Sequence, residues 1–318
     1  MYLIITIDTE EDNWGNYSPT GHTLENIERL PYLQGLFDEY DVKPAYLITY
    51  PVATDEKTVS ILKGILKEGK CEIGSHCHPW NTPPFEEKNT IENSMLCNLP
   101  MDLQYKKLES LDNVIMQNFD IKPISFRAGR WGYNQEVAKN LYKLGYRIDT
   151  SITPFVDWRD DYGPNFSDIL PLPFKFSCEN VYRETPNGIM LEVPVTIGFS
   201  QKNFLLCNHL FKTLGNKSLK KLRLKGITYR LHLLNRVWLS PEFSDVKSMI
   251  KPTKAMMRND YTIMNMTFHS PSLKSGLSPF VRTKDSEKRF FKSIKEFLIY
   301  TCDLGIESIK LSNLINLI

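Results

Sequence analysis

Two histidines separated by one residue have the clearest potential for chemistry. His76 and His78 flank Cys77 at the end of a strand-like run that begins at Lys70. In an extended chain, side chains at positions i and i+2 point to the same side, so both imidazoles can reach one divalent cation while Cys77 points away. A single histidine in such a place would more often be structural, but the pair favours a metal site.

Carboxylates at the end of the first predicted strand would complete such a site. Residues 2–7 form an apolar run, and Asp8 and Glu10 follow it directly. A buried strand of an α/β fold delivers the residues at its carboxyl end to the rim where functional sites lie. Acidic residues also follow strands simply to cap the next loop. Together with His76 and His78, however, they favour a metal centre.

Composition narrows the class of protein. The chain has 318 residues, of which 42% are hydrophobic, so it can bury a large core and does not resemble a disordered chain. The net charge of +2 is too small to favour a nucleic acid partner. No apolar stretch reaches the roughly 18–20 residues of a membrane span, and no export signal is visible at the start. We therefore expect a cytoplasmic protein whose six irregularly spaced cysteines are reduced.

Strand-like and helix-like patterns alternate along most of the chain. Such alternation predicts repeated β-α units and hence a parallel barrel, here as one domain over residues 1–318. The predicted strands cover 2–7, 44–49, 71–75, 124–126, 147–149, 190–195, 263–268 and 308–311, and the predicted helices cover 24–40, 55–67, 99–118, 135–144 and 286–302.

One segment differs sharply in charge from the rest. Between Pro194 and Pro241 there are nine Lys and Arg residues and no Asp or Glu. We interpret residues 199–258 as a basic helical insertion between two barrel strands. Its charge indicates either a solvated basic face or peripheral contact with an anionic membrane surface or a lipid-linked carrier.

Five segments, in chain order, resemble the motifs of polysaccharide deacetylases of the NodB-homology type, carbohydrate esterase family 4. The resemblance covers about residues 1–160 and 262–312 and none of the basic insertion. It implies a distorted parallel (β/α) barrel of seven or eight strands. The five segments are 6–10, 74–78, 126–130, 149–151 followed by 156–158, and 267–270.

The resemblance also implies roles for the residues at the barrel rim. In the family, a carboxylate and two histidines hold a divalent metal, which implies Glu10, His76 and His78 here, with Asp8 as the catalytic base. The late histidine, His269, becomes the general acid. Amide hydrolysis needs these parts, because a metal polarises the carbonyl and acidifies water, a base takes a proton and an acid protonates the departing amine. Zn²⁺ is the first choice, since two imidazoles and one carboxylate leave an open position.

The remaining candidates would support the base, the acid or the substrate. By the resemblance Arg127 braces the base, although an ordinary salt bridge is the alternative. Asp157 would raise the pKa of His269. Rim tryptophans suit stacking on pyranose rings, although each could also belong to the core. The predicted substrate-binding residues are Trp80, Arg130, Trp131, Asp157 and Trp158.

Two positions differ from the usual family pattern. Thr9 stands where a second aspartate is common, so either Asp8 or Glu10 can be the ligand. Trp80 stands where the second histidine is usual, and His78 comes earlier.

The resemblance and the residues at the predicted rim together lead us to expect a metal-dependent N-deacetylase of an N-acetylated glycan or glycan precursor. The alternatives are a deacylase or amidohydrolase of a small non-sugar amide, and a catalytically inactive glycan-binding barrel.

Overall fold

A curled, mostly parallel sheet forms the centre of the computed structural model, which describes residues 1–12, 14–215 and 234–318. The main-sheet strands are β1 (Tyr2–Thr9), β2 (Ala45–Ile48), β3 (Glu72–Cys77), β4 (Ser125–Ala128), β5 (Ile148–Asp149), β6 (Phe174–Phe176), β7 (Met190–Glu192), β10 (Ile263–His269) and β11 (Glu307–Ser308), and a separate pair contains β8 (Ile197–Gly198) and β9 (Val237–Trp238). The order of the main sheet is β10-β1-β2-β3-β4-β5-β7-β6, and β11 also pairs with β1. Only β6 runs antiparallel to its neighbour among the described strands of this sheet. The structure therefore has the predicted distorted (β/α) barrel.

The two edges of the curled sheet are bridged by the chain that follows β7. Thr196 donates its backbone N–H to Asn265 of β10 at 2.9 Å, and Leu239 donates to Thr196 at 2.8 Å. Thr267 of β10 donates in turn to Leu239 at 3.1 Å. The barrel is distorted because short bridging segments, rather than a full strand, occupy this gap.

Helices pack around the outside of the sheet and begin at residues suited to capping. The side chains of Asp55, Asn134 and Thr283 each accept a backbone N–H from the first turn of their helix. The described α-helices are α1 (Leu30–Asp38), α2 (Tyr50–Thr54), α3 (Glu56–Lys67), α4 (Met101–Phe119), α5 (Gln135–Lys143), α6 (Phe204–Leu214), α7 (Val246–Met257) and α8 (Lys284–Asp303).

The first helix differs from its prediction over 24–40. A 3₁₀ turn covers Glu25–Arg29, and α1 begins only at Leu30, with a proline in its first turn. The Thr23 hydroxyl, just before this 3₁₀ turn, donates to the Asp12 carboxylate at 2.6 Å. The early segment is therefore tied to the loop after β1, close to the predicted catalytic carboxylates.

The predicted basic insertion over 199–258 is described only in part. The segment contains α6, β9 and α7, and β9 pairs with β8, which comes just before the segment. Six of the nine Lys and Arg residues between Pro194 and Pro241 lie between 216 and 233, outside the described residues. Membrane contact through this segment therefore stays a prediction. Among the described helices, none is long and apolar enough to cross a membrane.

A buried lysine fixes the loop that follows the histidine motif. Lys107 on α4 donates to the backbone carbonyls of Pro79, Thr82 and Pro84 at 2.7–2.9 Å. It also pairs with Glu87 at 2.9 Å, and its side chain is 0% exposed. The loop after His78 is therefore anchored to a helix by one cation.

We expect Lys107→Met to lower the free energy of unfolding by about 3–5 kcal/mol, because it leaves a buried carboxylate and three carbonyls without their donor. Lys106→Met is the matched control, since Lys106 pairs with Glu86 on the surface and exposed pairs contribute only about 0–1 kcal/mol. Urea unfolding of both variants measures the difference. Equal losses would contradict the anchoring role.

Candidate active site

Four strands of the sheet, β10, β1, β3 and β4, bring the candidate catalytic side chains to one edge of the barrel. Asp8 is the penultimate residue of β1 and pairs in register with His269 of β10, while His76 of β3 pairs with Arg127 of β4. All these pairings are parallel, so the carboxyl ends of the strands lie together. Glu10 lies just beyond β1, in the loop that continues over the same edge.

Three buried side chains converge with the geometry of a metal site. His76 Nε2 lies 3.4 Å and His78 Nε2 3.3 Å from Oε2 of Glu10. One ligand atom from each of these residues lies within 4.8 Å of the other two. Two imidazoles and one carboxylate form the donor set of many catalytic zinc sites. The residues therefore fit a divalent ion, and the histidine spacing of two is compatible with it.

The outer nitrogens of both imidazoles are occupied by acceptors. Nδ1 of His76 lies 3.0 Å from the carbonyl oxygen of Arg127, and Nδ1 of His78 lies 2.8 Å from Oε1 of Glu11. Glu11 accepts a second hydrogen bond from the Thr49 hydroxyl at 3.2 Å. With Nδ1 donating to these acceptors, Nε2 of each ring faces Glu10 and is the nitrogen that a metal could bind in place of a proton.

The electrostatics of this cluster favour positive charge. Burial would raise the pKa of Glu10, but the imidazoles of His269, His76 and His78 outweigh it and hold that pKa below its usual range. Burial would lower the pKa of His78, but Glu11 and Glu10 outweigh it and raise the pKa to about 10. A divalent cation at the same place would be stabilised by the same carboxylates.

Asp8 is held by Arg127 and is separate from the three metal-site residues. Nη1 of Arg127 donates to Oδ1 of Asp8 at 2.5 Å. Burial would raise the pKa of Asp8, but Arg127, His76 and His269 outweigh it and lower that pKa. Asp8 therefore stays ionised and can accept a proton at Oδ2. The contact between Arg127 and Asp8 uses one guanidinium nitrogen only.

The fourth motif explains how a fully buried guanidinium is accommodated. Arg127 also donates to Thr150 through the carbonyl at 2.9 Å and the hydroxyl at 3.0 Å. The hydroxyls of Thr6 and Thr267 accept from it at 2.7 and 2.8 Å. All five N–H groups of Arg127 therefore have acceptors, which fixes the position of the Asp8 carboxylate.

His269 is paired with a carboxylate that the sequence did not indicate. Its Nε2 lies 3.5 Å from Oδ2 of Asp8, and its Nδ1 lies 2.9 Å from Oε2 of Glu242. The side chain of Glu242 is fully buried, and its carboxylate also accepts from the His269 backbone N–H and the Ser272 hydroxyl. Burial would lower the pKa of His269, but Glu242, Glu10 and Asp8 outweigh it and raise the pKa to about 9.

The prediction that Asp157 raises the pKa of His269 is wrong. The Asp157 carboxylate is instead paired with Arg159, two residues away, at 2.7 Å and is 39% exposed. Asp157 also does not line the cavity that opens above the candidate site. Glu242 lies outside all five motifs, so nothing in the local sequence marked it as the partner of His269.

We expect Glu242→Gln to shift the basic limb of the pH–rate profile to lower pH. The Glu242 carboxylate raises the pKa of His269, so removing its charge makes the imidazolium lose its proton at lower pH. An acid catalyst is active only while protonated, so activity should be lost earlier as the pH rises. Profiles of kcat/KM test this, with Asp157→Asn as the control. An unshifted limb in Glu242→Gln would contradict the assignment.

A cavity of about 360 Å³ opens above these groups. Of the predicted substrate-binding residues, Trp80, Arg130, Trp131 and Trp158 line it. Trp80 stacks on His78 with centroids 4.1 Å apart, and Trp131 lies over the Arg127 guanidinium at 5.4 Å. Five further aromatic residues, which were not among the predicted substrate-binding residues, also line the cavity: Trp14, Tyr17, Trp238, Phe243 and Phe280.

Comparison with known proteins agrees with this architecture at the level of the fold. No family model matches the sequence, and no curated protein matches it. Among solved structures, a candidate polysaccharide deacetylase from Mycobacterium smegmatis matches with a TM-score of 0.53 at 14% identity, over 98% of this chain and 88% of that one. A candidate glycoside hydrolase/deacetylase from Parabacteroides distasonis matches with a TM-score of 0.59 at 9% identity, over 97% and 69% of the two chains.

A third similar structure is a 4-alpha-glucanotransferase from Thermococcus litoralis. It matches with a TM-score of 0.56 at 12% identity, over 99% of this chain but only 40% of that one. The chain therefore has the fold of polysaccharide deacetylases, as the motifs predicted, and shares it with a protein named for another reaction on carbohydrates. Because one fold can serve several reactions, the function has to be argued from the site.

Proposed function

We propose that the protein is a metal-dependent carbohydrate N-deacetylase of the polysaccharide deacetylase family. The observation that carries the proposal is the convergence of Glu10, His76 and His78 beside Asp8 and His269. Their chemistry matches the parts that hydrolysis of an acetamide requires. The substrate is an N-acetylated sugar of a glycan or glycan precursor, and Zn²⁺ is the ion that suits the donor set.

Glu10, His76 and His78 would hold the metal. When bound, a divalent ion supplies a Lewis acid that polarises the acetamide carbonyl and makes water more acidic. The two imidazoles would bind the ion through Nε2, since their Nδ1 atoms are already engaged. Glu11 keeps His78 in this orientation.

Asp8 and His269 would move the protons. Oδ1 of Asp8 is engaged by Arg127, so Oδ2 accepts the proton of the attacking water. Nε2 of His269 lies 3.5 Å from that oxygen, and its other nitrogen is fixed by Glu242. His269 donates its proton to the departing nitrogen as the C–N bond breaks, giving acetate and a free amine. The pKa of about 9 keeps His269 protonated at neutral pH before the reaction.

The proposal is tested by measuring acetate release from a panel of N-acetylated glycans before and after chelation of the metal. We expect release that a chelator abolishes and that added zinc restores. The panel should include small non-sugar amides. Activity on these amides alone would favour an amidohydrolase, and glycan binding without metal or turnover would favour an inactive binding barrel.

A further inference from the structure

An uninterrupted run of rings borders one side of the cavity. It begins at the imidazole of His269, the candidate acid, and ends at Trp131, which lies over the guanidinium of Arg127. Successive ring centroids are 4.6–6.1 Å apart, which is the spacing of aromatic pairs in contact. In order, the rings belong to His269, Trp14, Phe280, Phe243, Trp238 and Trp131.

A second run of side chains in contact borders the other side of the cavity. It begins at the metal-site residue His78, on which Trp80 stacks. Tyr17 lies 4.9 Å from Trp80, and the Arg130 guanidinium lies 4.8 Å above the Tyr17 ring. Arg130 is fixed from behind by the carbonyl of Ile91 at 2.9 Å. The four side chains of this run, from His78 to Arg130, all line the cavity.

The two runs meet at consecutive residues of one strained turn. Arg130 and Trp131 have φ values of +52° and +61°, in the left-handed region that residues other than glycine seldom adopt. Such strain is kept where it serves a site. Here it places one side chain in each run. We call the two runs together the aromatic collar.

We propose that the aromatic collar admits an acetylated sugar only as a chain end or a single unit, so that internal units of a polymer are not deacetylated. This inference rests on the proposed function and specifies its substrate class. An internal unit continues covalently on both sides and needs a groove that is open at both ends. A closed border leaves the substrate one way out, through the mouth of the cavity.

The size and the rim of the cavity agree with an end-on substrate. A volume of about 360 Å³ lies near the lower end of the roughly 300–1,000 Å³ typical of small-molecule sites. Trp14 and Phe243 are 42% and 49% exposed, so their outer edges remain available to contact the unit that follows the bound sugar. Their rings suit the apolar faces of pyranoses.

The test uses zinc-loaded protein with oligomers of one, two and six units of N-acetylglucosamine, N-acetylgalactosamine and N-acetylmannosamine. Tandem mass spectrometry after labelling of the reducing end locates each lost acetyl group. We expect loss from terminal units only, at rates per chain that differ less than about threefold between two and six units. Loss from internal units would overturn the inference and leave the proposed function standing. No acetate from any oligomer would instead contradict the proposed function, on which the inference depends.

A variant that opens the collar tests its role directly. Phe243→Ala removes a half-exposed ring and should allow deacetylation of internal units in the hexamer while zinc content stays the same. Tyr32→Ala is the matched control, because Tyr32 is an exposed aromatic residue of α1 that does not line the cavity. It should keep the terminal pattern. A folded, zinc-loaded Phe243→Ala protein that still acts on ends alone would overturn the role of the collar.

Discussion

Asp8→Asn should lower kcat by about 10²–10⁴-fold while the protein keeps its metal, as expected when one acid–base group is removed. The amide oxygen of asparagine can still accept from Arg127, but the side chain cannot take a proton from water. Glu10, His76 and His78 are unchanged, so the metal donors remain. Acetate release and elemental analysis of the same preparation measure the two effects separately.

Glu10→Gln provides the complementary variant, and it should lose the metal. The contrast resolves the question left open by the first motif, where either carboxylate could be the ligand. In the structure, the Glu10 carboxylate lies 3.3–3.4 Å from both Nε2 atoms, whereas Asp8 Oδ2 is 3.9 Å from that of His76. If Asp8→Asn loses the metal and Glu10→Gln keeps it, the two roles are exchanged.

His76→Ala and His78→Ala should each abolish stoichiometric metal binding and, with it, turnover. Each change removes one of three protein donors, so the loss of affinity should exceed the 10–100-fold typical of changes to residues behind a ligand. Competition with a chromogenic chelator measures the affinity without any substrate.

Two control variants show how the metal affinity should change when the three proposed ligands are left intact. Glu11→Gln keeps Nε2 of His78 as a donor and weakens only the hydrogen bond behind it, so we expect affinity to fall by about 10–100-fold. His209→Ala changes an exposed histidine of α6 and should leave the affinity unchanged. Wild-type affinity in His76→Ala or His78→Ala would contradict the metal-site assignment.

The barrel and the meeting of its strand ends could be predicted because they follow from short-range patterns. Apolar runs indicated buried strands, and parallel strands place their carboxyl ends at one edge. This reasoning put Asp8, His76 and His269 on the same rim, and the structure brings them together there. The spacing of two between the histidines then required only the geometry of extended chain.

The partner of His269 could not be predicted, because it depends on contacts between distant parts of the chain. Glu242 lies in a loop outside every motif and reaches His269 across 27 positions of sequence. Asp157 was the wrong choice since Arg159 beside it forms the ion pair instead. Local sequence shows which residue types are present, but not which charged neighbour is nearer.

The collar and the buried lysine escaped prediction for a related reason. Trp238, Phe243 and Phe280 come from segments that the motifs do not cover, and each taken alone looks like a core residue. Lys107 lies on a helix, where a lysine is ordinarily solvated. Its burial is explained only by the folded structure, in which three backbone carbonyls of one loop accept hydrogen bonds from its ammonium group.

Crystals of the protein grown with zinc, with diffraction recorded on both sides of the zinc absorption edge, test the central claim most directly. We predict one anomalous peak per chain, bonded to a carboxylate oxygen of Glu10 and to Nε2 of both His76 and His78. Asp8 should lie outside the coordination shell. A zinc-soaked crystal with no peak between these three side chains, or with the ion bound elsewhere, would contradict the account.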